Sequence, residues 1–104
     1  MSKSESQYTN FNVVVNGVLE GIASATQLPS IPCSLVWFKA GAANTGNVCL
    51  GGSGVTLAVN ATNTTAGIEL DAGEMIGPIP ASNLSNFYRI CSSTVDYLTY
   101  MALR

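Results

Sequence analysis

The sequence contains no histidine, and only 10% of its 104 residues are charged, whereas about 25% is typical of globular proteins. Without histidine, neither a Ser-His-Asp nor a Cys-His catalytic arrangement can form, and the most common general base near neutral pH is missing. The cationic residues Lys3, Lys39, Arg89 and Arg104 are scattered along the chain. Because phosphate binding needs several clustered cations, we exclude nucleic acid as a partner.

The chain also lacks a long apolar run. No stretch approaches the roughly 18 apolar residues that a membrane-spanning helix needs. The first ten residues, MSKSESQYTN, are polar and have no apolar segment typical of a signal peptide. We therefore expect no membrane partner, and a protein that stays in the cytoplasm of the cell where it is made.

Cysteine is present in an odd number, as Cys33, Cys49 and Cys91. Without a secretion signal, an odd count favours reduced thiols. Each cysteine has apolar neighbours, which is typical of a buried side chain that acts as a small hydrophobe. A metal site with three thiolates is the alternative, but the chain offers no CxxC pair and no histidine to support it. We predict no metal and no cofactor.

Carboxylates gather only in the segment ELDAGE, as Glu69, Asp71 and Glu74. Such a group could act in a glycosidase or bind calcium. Strand alternation places Glu69 and Asp71 on one outward face, with Glu74 just past a turn, which favours a solvated hairpin tip. We predict that the protein is not an enzyme, and an enzyme that uses this cluster is the least favoured alternative.

The glycine cluster GGSG at positions 51–54 raises the question of a phosphate cradle. A P-loop requires a lysine after its last glycine, and a dinucleotide site requires a helix there. Here the alternating, strand-like sequence GVTLAVN follows. The glycines are therefore predicted to form a hairpin turn between two strands.

Short segments with apolar residues at alternate positions recur along the chain, separated by turn residues. They include residues 11–15, 34–40, 55–60, 68–71, 87–91 and 97–103. This pattern predicts an all-β domain over residues 11–104, a compact antiparallel β-sandwich or barrel (jelly-roll-like) of seven to eight short strands. Residues 1–10 are polar and without periodicity, so we expect a flexible N-terminal arm.

Two local signals refine this prediction. Asn16-Gly17 is a strong turn dipeptide and predicts a turn after the first strand. The segment SNLSN predicts a single helical turn with Ser82 or Asn83 as its cap.

The shortage of charge also bears on assembly. A free monomer usually carries a charged surface, and the segment 34–40 is apolar on both strand faces, which indicates cover on both faces. We favour a symmetric homo-oligomer over a monomer solvated by neutral polar groups. The candidate interface residues are Tyr8, Phe11, Val36 and Phe38.

Several motifs link the chain to a known group of proteins. They are ANTG at 43–46, GGSGVT at 51–56, LDAGE at 70–74 and LSNFY at 84–88. Over residues 35 to 103 the sequence resembles small virion accessory proteins of tailed bacteriophages, of the head decoration or cement type. The motifs are mostly turns, and residues 1 to 34 carry no part of the resemblance.

The resemblance implies a non-enzymatic structural protein that decorates or cements the capsid shell. Its partners would be further copies of itself, with a trimer matching the threefold sites of a shell, and the major capsid protein or other virion proteins. The protein would be located in the virion after synthesis in the host cytoplasm. One alternative is a neck, tail or head-fibre component. Another is a carbohydrate-binding β-sandwich at a receptor-binding tip, with a platform drawn from Trp37, Phe38, Tyr88, Tyr97 and Tyr100.

Overall fold

A computed structural model describes residues 13–58 and 63–104. Eight strands and one 3-10 turn form there. The strands are β1 (Val14–Glu20), β2 (Thr26–Gln27), β3 (Leu35–Ala40), β4 (Val48–Gly51), β5 (Ile68–Leu70), β6 (Met75–Pro80), β7 (Tyr88–Cys91) and β8 (Tyr97–Leu103). No described segment is a helix long and apolar enough to cross a bilayer. The arm predicted over residues 1–10 lies outside the described residues.

The strands pair in a nested order, because β1 pairs with β8, β2 with β7, β3 with β6 and β4 with β5, all antiparallel. The chain thus runs as a long hairpin whose successive strand pairs fall alternately into two sheets. Their strand orders are β1-β8-β3-β6 and β2-β7-β4-β5. This arrangement is an eight-stranded jelly roll, and it confirms the predicted all-β fold as a sandwich of two sheets.

The core lies between the two sheets. Its buried members come from both halves of the chain and are Leu28, Val36, Phe38, Ala40, Val48, Leu50, Leu70, Leu84, Cys91 and Leu98. The Phe38 and Phe87 rings meet edge to face, with centroids 5.1 Å apart, which is a favourable aromatic geometry. Cys49, Val55 and Ile90 form a second, smaller buried cluster, so the apolar alternation seen in the sequence fills two clusters.

The turn predicted at Asn16-Gly17 does not form. Strand β1 continues through both residues and pairs with β8 without a register shift, with Gly17 opposite Tyr100. A Cβ at Gly17 would lie 2.7 Å from the Tyr100 hydroxyl oxygen, so the glycine leaves room for this ring. Long-range strand pairing overrides the local turn preference here.

The glycines at 51–54 do turn the chain, but they do not connect two neighbouring strands. The Val55 N–H donates to the Gly52 carbonyl over 3.1 Å, and Gly54 has a φ of +81°, a conformation that favours glycine. The predicted strand after the turn is not formed over its described part, where Thr56 makes only an isolated bridge to Ala66. The strand that pairs with β4 is β5, so the prediction of a hairpin was wrong.

The helical turn predicted in SNLSN is confirmed as a 3-10 turn over Leu84–Asn86. Asn83 is its N-cap, and the Asn83 Oδ1 atom accepts from the N–H of Ser85 at 2.9 Å and from the N–H of Ile31 at 3.1 Å. The cap therefore also fixes the proline-containing loop after β2, whose residue Pro32 bridges to Asn83.

A buried carboxylate joins the ANTG segment to the turn before β8. Asp96 is 2% exposed. Its Oδ1 accepts from the N–H of Thr45 and its Oδ2 from the N–H of Gly46, both at 2.8 Å. The charge is thus held by hydrogen bonds to the backbone, which compensate part of the cost of removing a carboxylate from water.

The neighbouring Asn44 side chain completes this connection. Its Nδ2 donates to the Tyr97 carbonyl, and its Oδ1 accepts from the Tyr97 N–H, both at 2.9 Å. The amide thus bonds both backbone groups of Tyr97 at the start of β8, where the Tyr97 carbonyl also accepts from the Gly41 N–H at 3.0 Å. These residues join the loop between β3 and β4 to the loop between β7 and β8. We call Asn44, Thr45, Gly46 and Asp96 the loop clasp.

All three cysteines are buried and unpaired in disulfides, as the sequence predicted. Burial raises the pKa of the Cys33 and Cys49 thiols. The Cys33 thiol donates to the Ala81 carbonyl at 3.2 Å. The three side chains therefore pack as small hydrophobes.

Because Asp96 accepts the backbone hydrogen bonds of the loop clasp, even a nearly isosteric substitution of Asp96 should lower the stability of the fold. Asp96→Asn should lower the free energy of unfolding by about 1–3 kcal/mol, because an amide NH₂ would face a backbone N–H and leave it without an acceptor. Urea denaturation followed by tryptophan fluorescence measures this loss. Asp71→Asn is the matched control, since Asp71 is exposed, and it should change stability by less than about 0.5 kcal/mol. Equal effects of the two substitutions would contradict a structural role for the clasp.

Candidate interaction surface

The two faces of β3 have opposite surroundings. Val36 and Phe38 are 0% exposed and belong to the core, whereas Lys39 is exposed and Trp37 is half-buried. This placement corrects the prediction of Val36 and Phe38 as interface residues, because the second sheet of the same chain already covers them. The other two candidates, Tyr8 and Phe11, lie outside the described residues.

The opposite face of the first sheet is the candidate interaction surface, and we call it the outer face. Strand register and alternation assign to it Val14, Asn16, Val18, Glu20, Leu35, Trp37, Lys39, Met75, Pro80, Tyr97, Thr99, Met101 and Leu103. Several of its apolar side chains are strongly exposed, namely Val18 at 64%, Met75 at 65% and Met101 at 40%. Its charged residues are Glu20 and Lys39. A sheet that is apolar on both faces is unusual for a monomer, whose outer strand face is normally polar.

Trp37 has a defined position on the outer face. The register of β3 with β6 shifts between Val36 and Phe38, which places a bulge of β6 opposite Trp37. Gly77 in this bulge has a φ of +136°, and a Cβ there would lie 2.9 Å from the Trp37 Cδ1 atom. The glycine thus permits both the backbone conformation and the close approach of the indole.

A shallow concavity of about 370 Å³ lies on the outer face, and its lining includes Trp37, Lys39, Met75, Thr99 and Met101. The Thr99 hydroxyl donates to the Lys39 carbonyl at 3.1 Å. The concavity offers an aromatic ring, apolar side chains and one cation. Such a lining suits contact with a protein surface or stacking against a sugar ring.

The five aromatic residues considered for a sugar platform do not share one surface. Phe38 lies in the core, and Tyr100 faces inward beside Gly17. Tyr88 lies on the second sheet and packs against a small cluster around Cys49. Trp37 and Tyr97 remain on the outer face.

The carboxylates of ELDAGE are exposed and shape a turn. The Glu74 carboxylate accepts from the Asp71 N–H at 2.7 Å, and the Glu74 N–H donates to the Asp71 carbonyl at 2.9 Å. Gly73 between them has a φ of +80°. Within residues 13–58 and 63–104, no three Cys, Asp or Glu side chains are placed to hold a metal ion. The geometry thus assigns Glu74 a role in the turn.

A second cavity, of about 290 Å³, opens between the two sheets on the side of β5 and β6. Its side chains include Leu50, Ile68, Ile79 and Phe87, with Asn86 as the polar member. An apolar lining with one amide can accept a small apolar group but provides no acid, base or nucleophile.

Because one face of β3 is buried and the other is partly in water, truncation of Phe38 and of Trp37 should lower the free energy of unfolding by different amounts. Phe38→Ala should lower the free energy of unfolding by about 3–5 kcal/mol, as expected for a buried aromatic side chain. Trp37→Ala should cost about 1–2 kcal/mol, because part of the indole remains in water. Urea denaturation monitored by far-UV circular dichroism measures both. A larger loss for Trp37→Ala than for Phe38→Ala would contradict the assignment of the faces.

Comparisons with known proteins identify no relative. No family model matches the chain, and neither the curated proteins nor the solved structures contain a significant match to it. The function is therefore inferred from the fold, the outer face and the sequence resemblance.

Proposed function

We propose that this chain is a non-enzymatic structural protein of a tailed-bacteriophage virion, which decorates or cements the capsid shell through contacts with the shell and with further copies of itself. The observation that carries this proposal is the apolar outer face of the first sheet. Val18, Met75 and Met101 remain strongly exposed there, although the opposite face of the same sheet already forms the core. Exposed apolar side chains gathered on one sheet face are typical of a contact between proteins.

The fold is compatible with this role. Jelly rolls are common among viral capsid and lectin domains, but one fold supports many functions, so the site has to decide between them. The outer face carries more apolar than charged side chains, which fits the composition of a protein interface core. The resemblance of residues 35 to 103 to virion accessory proteins supports the same class.

Weak individual contacts suffice for such a role. A protein that binds to a repeating lattice engages several neighbours, and each further contact benefits from the high effective concentration created by the first. A rigid sandwich with a preformed apolar face loses little conformational entropy on docking. The mechanism would be mechanical: copies placed across the joints of the shell hold adjacent capsid proteins together.

A neck, tail or head-fibre location remains the alternative for the same domain, and copy number separates the two. Quantitative mass spectrometry of purified virions of the phage that encodes this chain should find hundreds of copies if it decorates the shell. A count of about a dozen copies would place it in the neck or tail instead. Absence from the virion would contradict both assignments.

The outer face predicts which substitution weakens shell binding. Met101→Lys should raise the dissociation constant for capsids stripped of this protein by at least about tenfold, because docking would bury an unpaired charge. Ile68→Lys is the matched control, since Ile68 is an exposed apolar residue of the second sheet, at 58%. It should bind like the wild type in a co-sedimentation assay. Equal binding by wild type and Met101→Lys would contradict the use of the outer face.

The concavity around Trp37 favours one further candidate function, a carbohydrate-binding sandwich at a receptor-binding tip. The half-exposed indole lies beside Lys39 and Thr99, and aromatic rings stack well against the apolar faces of sugars. In this case a glycan array should detect binding by the wild type and by Trp37→Phe, which keeps an aromatic ring, but not by Trp37→Ala. No binding by the wild type, or equal binding by all three proteins, would exclude this candidate.

A further inference from the structure

The two sheets have four edge strands, and β1 differs from the other three. Strand β2 is two residues long and β5 three, and β5 carries the charged Glu69. Strand β6 contains Pro78 and Pro80, which offer no N–H to a neighbouring strand. Short length, charge and proline are the usual protection of a sheet edge against pairing with another chain. Three edges of this sandwich are therefore protected.

Strand β1 lacks these protections except for one charge at its end. It is seven residues long and contains no proline, no lysine and a single charged residue, Glu20, at its end. It pairs with β8 on one side, and among residues 13–58 and 63–104 no strand pairs with its other side. A long, apolar and unprotected edge is a template for the addition of a further strand.

The side of β1 to which each backbone group points follows from the residue pair that precedes the strand. Val13 and Arg104 exchange both backbone hydrogen bonds, at 3.3 and 2.9 Å. In an antiparallel ladder this direction alternates, so the odd-numbered residues of β1 bond to β8. The N–H and C=O groups of Val14, Asn16 and Val18 therefore point to the open side. Those of Glu20 do so as well, but the Glu20 carbonyl already accepts from the Arg89 guanidinium at 3.1 and 3.3 Å.

We infer that this open edge pairs with β1 of a second copy of the chain, in antiparallel orientation about a two-fold axis at Gly17. These four residues lie symmetrically about Gly17, so Val14 would lie opposite Glu20 of the other copy and Asn16 opposite Val18. Asn16 and Val18 would exchange both backbone hydrogen bonds, whereas the Glu20 carbonyl would accept from Val14 in addition to its bond from Arg89. The backbone pattern is thus complementary to itself, as an isologous contact requires. The two four-stranded sheets would join into one continuous sheet of the dimer.

The side chains of β1 also favour a second copy of the chain as the partner of the open edge. Val15 belongs to the inward face of β1 but remains 37% exposed, because it lies at the sheet edge. In the proposed register it would face Leu19 of the other copy, an apolar pair that covers both side chains. The two Glu20 carboxylates would be roughly 20 Å apart, six strand residues at about 3.4 Å each, so like charges do not oppose the contact.

This inference deepens the homo-oligomer part of the proposed function and does not depend on the virion part. It gives the oligomer a two-fold contact through a strand edge, whereas the outer face stays free to bind a shell. A threefold arrangement, as expected from the resemblance, would need a different surface.

The test is sedimentation equilibrium of the purified full-length chain, from micromolar to millimolar concentration, without capsids. We expect a concentration-dependent mass that rises towards twice 10.8 kDa. Asn16→Pro should raise the dimer dissociation constant at least about tenfold, because it removes an N–H on the open side and leaves the bonds to β8 intact. Asn16→Thr keeps this N–H and is the matched control, which should dimerise like the wild type.

A second variant tests the same contact in case Asn16→Pro fails to fold. Val15→Lys places an inward-pointing charge at the edge, a natural form of edge protection, at a position that is already partly in water. It should also yield a folded monomer by circular dichroism. Hydrogen exchange measured by NMR adds a direct readout, since the amides of Asn16 and Val18 should become slower to exchange as concentration rises.

Three results would overturn the pairing. They are a wild-type mass that stays at one chain or rises to three, a dimer that survives in both variants, and protection of the open-side amides that is independent of concentration. If deletion of residues 1–10 abolished such concentration-independent protection, the N-terminal segment of the same chain would be the occupant. Because no capsid is present, each of these results leaves the virion assignment unaffected.

Discussion

The buried Asp96 carboxylate and its hydrogen bonds to the Thr45 and Gly46 N–H groups are the constraint on which this sandwich depends. In the nested jelly-roll order, β3–β4 and β7–β8 are both places where the chain passes from one sheet to the other. The loop clasp joins these two passages, which are about fifty residues apart in the sequence. Since β3 and β8 are neighbours in one sheet and β4 and β7 in the other, the clasp fixes how the sheets stack.

This stacking determines which surface is left for function. It directs Val36 and Phe38 into the core and Trp37 and Lys39 away from it. The first sheet consequently has an apolar face on each side, whereas ordinary antiparallel sheets alternate apolar and polar faces. A protein with few charges and this surface is suited to being held between partners, which is the physical basis of the proposed structural role.

Much of the fold follows from the sequence, because strand alternation and turn residues are local signals. They identify β3, β7 and β8 and the capped turn at Asn83. They fail at Asn16-Gly17, where pairing along β8 overrides a turn preference. They also fail after Gly54, where the described residues up to 58 make only an isolated bridge at Thr56. The alternation in β3 places Val36 and Phe38 on one strand face and Trp37 on the other. Because both faces are apolar, the alternation does not indicate which of them is buried. The loop clasp joins residues too far apart in sequence for any local pattern to connect them.

We propose that the contacts of this molecule are divided between two surfaces, the outer face for a shell and the β1 edge for a second copy. A reconstruction of the proposed phage particle by electron cryomicroscopy tests the central proposal, which is that the protein acts through the outer face of its first sheet. We expect jelly-roll density on the capsid with Trp37 and Met101 directed at the shell. Density in which the second sheet contacts the shell, with the outer face open to solvent, would contradict it.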